Sequence, residues 1–178
     1  MKAVFLLPMS IGGTLKLMSK TFIESKLEME KILSAERLGY LGLSMEGKTY
    51  VVPLNYVYVD GRIIFHCAKN GIKLEYIREN PKVCFTVARQ FGKIVKHPQG
   101  AICHTDSDSV ICYGIARIID DIEERQQILN EFNHFLQKDA ADIQIDDVIN
   151  CNAVEITLIE MTGRVERDNK CTFWQHRF

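Results

Sequence analysis

The sequence has almost no net charge. Its 22 Lys and Arg residues stand against 23 Asp and Glu, leaving a formal charge of -1. No global field therefore draws it to nucleic acid or to an anionic membrane. Its basic residues are scattered among acids, with no basic run interleaved with aromatics, so nucleic acid is not an expected partner. The six cysteines (Cys67, Cys84, Cys103, Cys112, Cys151 and Cys171) form no C-x-x-C pair. Such spacing suits reduced, mostly buried thiols in a cytoplasmic protein better than a disulfide framework. There is no N-x-S/T acceptor, no G-x-S-x-G elbow, no Walker loop and no H-E-x-x-H pair.

What is present is a globular mixture, 47% apolar and 25% charged over 178 residues. That is enough for one domain with a real core, neither disordered nor membrane-embedded. Residues 1–17 include a short apolar run broken by Pro8 and Gly12-Gly13. They read as an ordered arm, a signal or an extension from an early start codon, the last preferred. A single domain is expected over residues 18–178.

Helix patterns cover residues 25–35, where Ser25 offers a cap and Leu27, Ile32 and Leu33 a stripe, and residues 71–79. A third follows Asp121, with an Asp121-x-x-Glu124 capping box and a stripe of Ile128, Leu129, Phe132, Phe135 and Leu136. Strand patterns cover residues 37–45, 49–59, 62–68, 82–88, 109–119 and 152–163. The second is the longest apolar run and should be covered on both faces, and the fifth, apolar on both faces, should be central or lie at a subunit interface. Residues 89–108 read as a long irregular loop. About six strands without regular strand–helix alternation point to a mainly β, α+β fold. A small antiparallel barrel with peripheral helices fits best.

The block YVVPLNYVYVDGRIIFHCAKNGIKLEYIRENP (residues 50–81) carries the densest signals. Pro53 has no N–H and belongs on an edge or bulge, where backbone can face a ligand. Asp60-Gly61 makes a tight turn between two strands. Gly71 permits an unusual backbone angle, and the amides behind it, with Lys73 one turn in, would seat a phosphate. An edge-strand proline and an ordinary turn with a solvated lysine would explain the same residues.

The layout resembles the flavin-binding segment of the pyridoxamine 5′-phosphate oxidase-like split-barrel family, nearest its nitroimidazole-reductase-like branch. The resemblance implies an FMN-binding, six-stranded antiparallel split β-barrel acting as a homodimer. It implies main-chain contacts to the flavin ring from Val52, Pro53, Leu54 and Asn55. Polar contacts would come from His66, Cys67 and Ala68 at the end of the paired strand. The family's basic pair at the flavin phosphate corresponds to Ile72 and Lys73, so one cation is missing. Ser109, Val110 and Gly114 match a second motif, with Asp108 where relatives carry arginine. Glu79-Asn80-Pro81 and Met161-Thr162-Gly163 extend the match to roughly residues 24–165. Trp174 and Arg177 in the tail could close over the flavin or pack on the surface.

The implied activity is FMN-dependent reduction of a small nitroaromatic, quinone or similar electron acceptor, with NAD(P)H or another donor. The cofactor would carry the redox step. His66 is the candidate catalytic residue, because an imidazole ordinarily titrates near neutrality and can donate a proton. Pyridoxamine phosphate oxidation itself is not expected, for the C-terminus lacks a basic pattern to hold that substrate. A non-catalytic flavin or haem protein is the alternative, with His66, His97 or His104 as axial ligand. His97, Cys103, His104, Asp106, Asp108 and Cys112 are metal-ligand types, but without short paired spacings they read as a polar rim.

Overall fold

Strands alternating between a packed and an open face build most of the computed structural model, which describes residues 22–96, 103–167 and 170–178. The expected extension at residues 1–17 lies outside the described residues, as does His97. The elements run β1 (Phe22–Glu24), α1 (Lys26–Ala35), β2 (Leu38–Met45), β3 (Lys48–Asn55), β4 (Val57–Val59) and β5 (Arg62–Ala68). They continue with α2 (Ile72–Glu79), β6 (Lys82–Lys96), β7 (Cys103–Ile118), α3 (Ile122–Leu136), α4 (Ile145–Val148), β8 (Cys151–Arg167) and β9 (Lys170–Arg177).

The expected mainly antiparallel split barrel with peripheral helices is the architecture observed. The strand order is β1-β9-β8-β7-β6-β2-β3, all antiparallel except β1 on β9. β8 is long enough to carry β5 on its first half and β9 on its second. β3 pairs only with β2, and β4 covers β5 only over residues 62–64. Among the described residues the sheet therefore does not close: one edge of β3 and one edge of residues 65–68 stay unpaired.

Among the described residues nine strands replace the expected six. Residues 89–96 and 103–108 are strand rather than loop, the ends of β6 and β7, while residues 97–102 lie outside the described residues. Asp108 lies opposite Arg89 in the ladder, so a carboxylate expected in that loop is paired across the strands instead. Among the described residues of this span the ladder shifts between Phe91 and Val95, where Gly92 adopts φ 70°. The tail, read as an uncertain appendage, forms β9.

The run over residues 49–59 breaks at Tyr56. Its N–H donates to the Arg37 carbonyl (3.1 Å) and its buried hydroxyl to the Leu33 carbonyl (2.7 Å). The chain is thereby turned from β2 towards α1. Nor is this run covered on both faces, since Val51 is 63% exposed. β7 is central as expected, between β6 and β8, yet Ile111, Tyr113 and Ile115 on its outer face are open.

The core has two parts. Inward residues such as Leu41, Phe65, Phe85, Val110 and Ile156 fill the barrel, closed at one end by Met29, Ile32 and Leu33 of α1. Leu27 points outward, so Met29 takes its place in the buried stripe. Ser25 makes no capping bond. α3 packs Ile128, Leu129 and Phe132 over Val57, Ile64 and Ala153 on the outer side. The expected cap holds there: the Glu124 N–H donates to Asp121 Oδ1 at 2.8 Å. Phe135 and Leu136 lie outside that contact, on the exposed end of α3.

Candidate functional site

The cleft left by the unclosed sheet gathers the densest set of expected residues. β3 alternates so that Pro53 and Asn55 face outward, while Val52 and Leu54 turn in against the barrel core. Pro53 sits on a terminal strand opposite Tyr40, the place its missing N–H favours. On β5, Cys67 turns inward and is half-buried, while Ala68 ends the strand exposed. Burial pushes the Cys67 thiol up, and the nearby Lys73 ammonium pulls it down.

The next turn delivers the head of α2 to this cleft. Asn152, only 8% exposed, donates from Nδ2 to the Lys69 carbonyl at 2.9 Å. That bond fixes the backbone just before Gly71, which adopts φ 150°. A Cβ there would meet nothing within 4 Å, so the space before the helix is open and kept clear by the glycine. Leu74 donates to the Gly71 carbonyl (2.9 Å), leaving the amides of residues 72 and 73 without an intrahelical acceptor. Lys73 is half-buried beside them, while Ile72 is 54% exposed. Open amides, a positive helix end and one ammonium form an anion cradle of a kind that fits a flavin phosphate.

The outer face of the sheet carries an apolar cavity of about 630 Å³, whose walls include Gly42, Val51, Cys84, Tyr113, Ile115 and Ile159. Ile159 reaches it because the β7–β8 register shifts between Tyr113 and Gly114, leaving Ile159 outside the ladder. Gly114 is the other half of that shift. A Cβ on it would lie 2.5 Å from the Thr157 carbonyl oxygen.

The remaining expected residues are spread out. Ser109 shares the outer face of β7 with Ile111 and Tyr113, three strand spacings from β3, or roughly 14 Å. Val110 is fully buried in the core. His66 is exposed on the outer side of β5, its ring edge-on to Phe132 of α3 at 5.0 Å. Trp174 packs beside Met29 and Gly163 and lines a separate cavity of about 290 Å³ with Lys31, Arg89, Asp108 and Arg167.

Asp108 introduces no loose charge. It is 3% exposed, and Oδ2 accepts from Arg89 Nε (3.0 Å) and pairs with Nη2 (2.9 Å). Arg167 Nη2 lies 2.7 Å from Oδ1 without the alignment of a hydrogen bond, so that contact is Coulombic. Among the described residues no three His, Cys, Asp or Glu side chains converge on one point suited to an ion. Among the described side chains five cysteines are free; Cys112 is buried, Cys67, Cys84 and Cys151 half-buried and Cys171 exposed, so these thiols are less buried than their spacing suggests. Burial pushes up the thiols of Cys67, Cys84, Cys112 and Cys151. Among the described residues no helix is long and apolar enough to cross a membrane.

Sequence reasoning missed Asn152, whose role depends on lying opposite Cys67 across β5 and β8. It also missed the Arg89–Asp108–Arg167 cluster, since Arg167 lies 59 positions from Asp108 along the chain and beyond the expected last strand.

A split barrel with an open helix head beside its free edge defines a class of proteins, and comparison with known ones narrows it. The family profile for pyridoxamine 5′-phosphate oxidase matches residues 25–165, and the chain belongs to that family. Among solved structures it is similar to a proposed 5-nitroimidazole antibiotic resistance protein from Bacteroides thetaiotaomicron. That match has 29% identity and a TM-score of 0.68, over 80% of this chain and 85% of the other. It shares its fold with a FAD-binding protein from Mesorhizobium loti, at 24% identity and a TM-score of 0.63 over 80% and 96% of the two chains. The flavocytochrome Anf3 from Azotobacter vinelandii also shares it, at 19% identity and a TM-score of 0.69 over 86% and 78%. No match was found among curated protein sequences.

Proposed function

We propose that this chain binds a flavin in the cleft between β3, β5 and the head of α2. It would act as an oxidoreductase on a small acceptor such as a nitroaromatic or quinone. The observation that carries the reading is Lys73 and the Gly71-headed amides lying beside Cys67 at the end of β5, where that strand's edge is unpaired. A bound flavin supplies two-electron transfer through its N5, with NAD(P)H or another donor reducing it. FMN is the form that the family resemblance implies.

The chain's own residues divide the remaining work. The amides of residues 72 and 73, with Lys73, hold the phosphate. The backbone of Val52, Pro53, Leu54 and Asn55 orients the ring, and Cys67 and Ala68 bound it at the end of β5. His66 stands outside that edge and holds or gives a proton. Ser109 and Val110 on β7 and Trp174 on β9 lie away from the cleft within one chain. A second copy packed on the outer face would cover the apolar cavity and bring these surfaces towards its partner's cleft, which makes the working unit a homodimer. Free thiols held protonated by burial suit a cytoplasmic setting.

The test is the visible spectrum of the purified full chain, followed by mass analysis of any released cofactor. Flavin bands support the reading. A Soret band would favour a haem protein of the same fold. A colourless protein that takes up no added flavin would overturn it.

A further inference from the structure

We infer that the cavity of about 290 Å³ beside Trp174 is a binding site for a small zwitterion, an α-amino acid with an apolar side chain. Its walls come from α1, β6, β7, β8 and β9. It shares no residue with the cleft at the head of α2, and the inference does not rest on the flavin reading.

Asp108 lines this cavity and is 3% exposed, yet its two oxygens are served unequally. Oδ2 accepts from Arg89 Nε at 3.0 Å. Oδ1 accepts no hydrogen bond, although Arg167 Nη2 stands 2.7 Å away, because the N–H bonds there are not aimed at it. A buried carboxylate oxygen without a donor is costly, and native folds seldom leave one without a reason. An ion cluster that served packing alone would close on itself. This one leaves an acceptor unused beside open space. Arg167 is part-exposed and covers Oδ1 by charge alone, so an arriving donor displaces it without breaking a hydrogen bond to Asp108.

The charges around the cavity balance. Both guanidiniums rest on the Phe91 ring, Arg89 at 4.9 Å and Arg167 at 4.6 Å from its centre, which holds the two planar groups in place. Arg89 also stands 3.6 Å from Glu36, and Lys31 pairs with Glu28 at 2.7 Å on the α1 side. Lys31, Arg89 and Arg167 thus face Glu28, Glu36 and Asp108, three cations against three carboxylates. A net anion or a net cation would leave one buried charge over, whereas a zwitterion adds none. Its ammonium supplies the donor that Asp108 Oδ1 lacks. Its carboxylate takes the guanidinium of Arg167 in a charge-assisted pair. The rest of the wall is apolar, and Ile32, Val165 and the indole of Trp174 receive the side chain. The volume equals on the order of ten water molecules, room for one amino acid but not for a nucleotide.

Trp174 is the only tryptophan of the chain, so its emission reports on this cavity alone. The experiment titrates the full chain as purified, by that emission and by calorimetry. The probes are L-phenylalanine, L-leucine, 3-phenylpropanoate (which lacks the ammonium) and phenethylamine (which lacks the carboxylate). Phenylalanine or leucine should shift the emission saturably. Each truncated relative of phenylalanine should bind about tenfold or more weaker, the scale of one charge-assisted contact. Arg167→Gln should weaken phenylalanine by about tenfold and leave phenethylamine unchanged, in a chain whose melting by circular dichroism shows that it is folded. Asp108→Asn should abolish binding where that variant folds; where it does not, the ligand series and Arg167→Gln decide. The proposal is overturned if neither amino acid gives a saturable emission change or a heat of binding. It is equally overturned if a truncated relative binds as tightly as phenylalanine, or if Arg167→Gln leaves the affinity for phenylalanine unchanged.

Discussion

Asn152 Nδ2 donates to the Lys69 carbonyl at 2.9 Å, joining the start of β8 to the turn that presents α2. A buried side chain thereby ties down the backbone just before Gly71 and the head of α2. Asn152→Ala leaves that carbonyl without its partner and should cost about 1–3 kcal/mol of stability. Flavin affinity should fall further than stability alone explains, because the amides of residues 72 and 73 lose their alignment. Urea denaturation of the flavin-free protein and a flavin titration separate the two effects. Unchanged flavin affinity in a folded variant would mean that Gly71 and α2 hold their place unaided.

Gly114 marks a close approach rather than a flexible turn. Its missing Cβ lets β7 pass the Thr157 carbonyl, where any side chain would begin 2.5 Å from the oxygen. Gly114→Ala should therefore destabilise the fold by roughly 1–3 kcal/mol through overpacking. It should also move Ile159 and reshape the apolar cavity. A denaturation midpoint equal to wild type would show that β8 yields without cost.

Periodicity made much of this legible in advance. The α3 cap at Asp121, the buried trio Val154, Ile156 and Leu158, and the edge position of Pro53 follow from local chemistry. The departures follow from long-range pairing. Asp108 looks like part of a loop until Arg89 is placed opposite it, and Tyr56 looks like mid-strand until its hydroxyl meets the Leu33 carbonyl. The cleft was readable at Gly71 and Lys73 because turn chemistry is local. Asn152 was not, because 83 residues separate it from Lys69, and only the β5–β8 register brings them together.

Lys73→Ala tests the phosphate seat directly. Removing a half-buried ammonium at the helix head should weaken phosphorylated flavins by about tenfold or more, while riboflavin affinity stays the same. The stability of the flavin-free protein should change little, since Lys73 forms no ion pair there among those described. Equal affinity of wild type and variant for FMN and FAD would place the phosphate elsewhere.

Val51→Lys addresses the outer face. Val51 is 63% exposed in the single chain, so a charge there costs the monomer little. In a homodimer packed on this face the same charge would be buried without a partner, which is strongly unfavourable. Light scattering should report a dimer for the wild type and a monomer for the variant, with flavin lost on dissociation. A monomeric wild type, or a variant that stays dimeric, would remove this face from the assembly.

His66 is exposed on the outer side of β5 and stands edge-on to Phe132, so its ring is oriented by α3. His66→Gln keeps a hydrogen-bonding side chain of similar reach but cannot exchange a proton in the same way. If His66 gives a proton to the reduced acceptor, turnover should drop by about a hundredfold. Flavin binding and the dimer should persist, and reduction of the bound flavin by its donor should proceed at the wild-type rate. A drop in flavin affinity with unchanged turnover at saturation would make His66 a binding residue. Unchanged rates with nitroaromatic and quinone acceptors alike would leave it as part of the packing against α3.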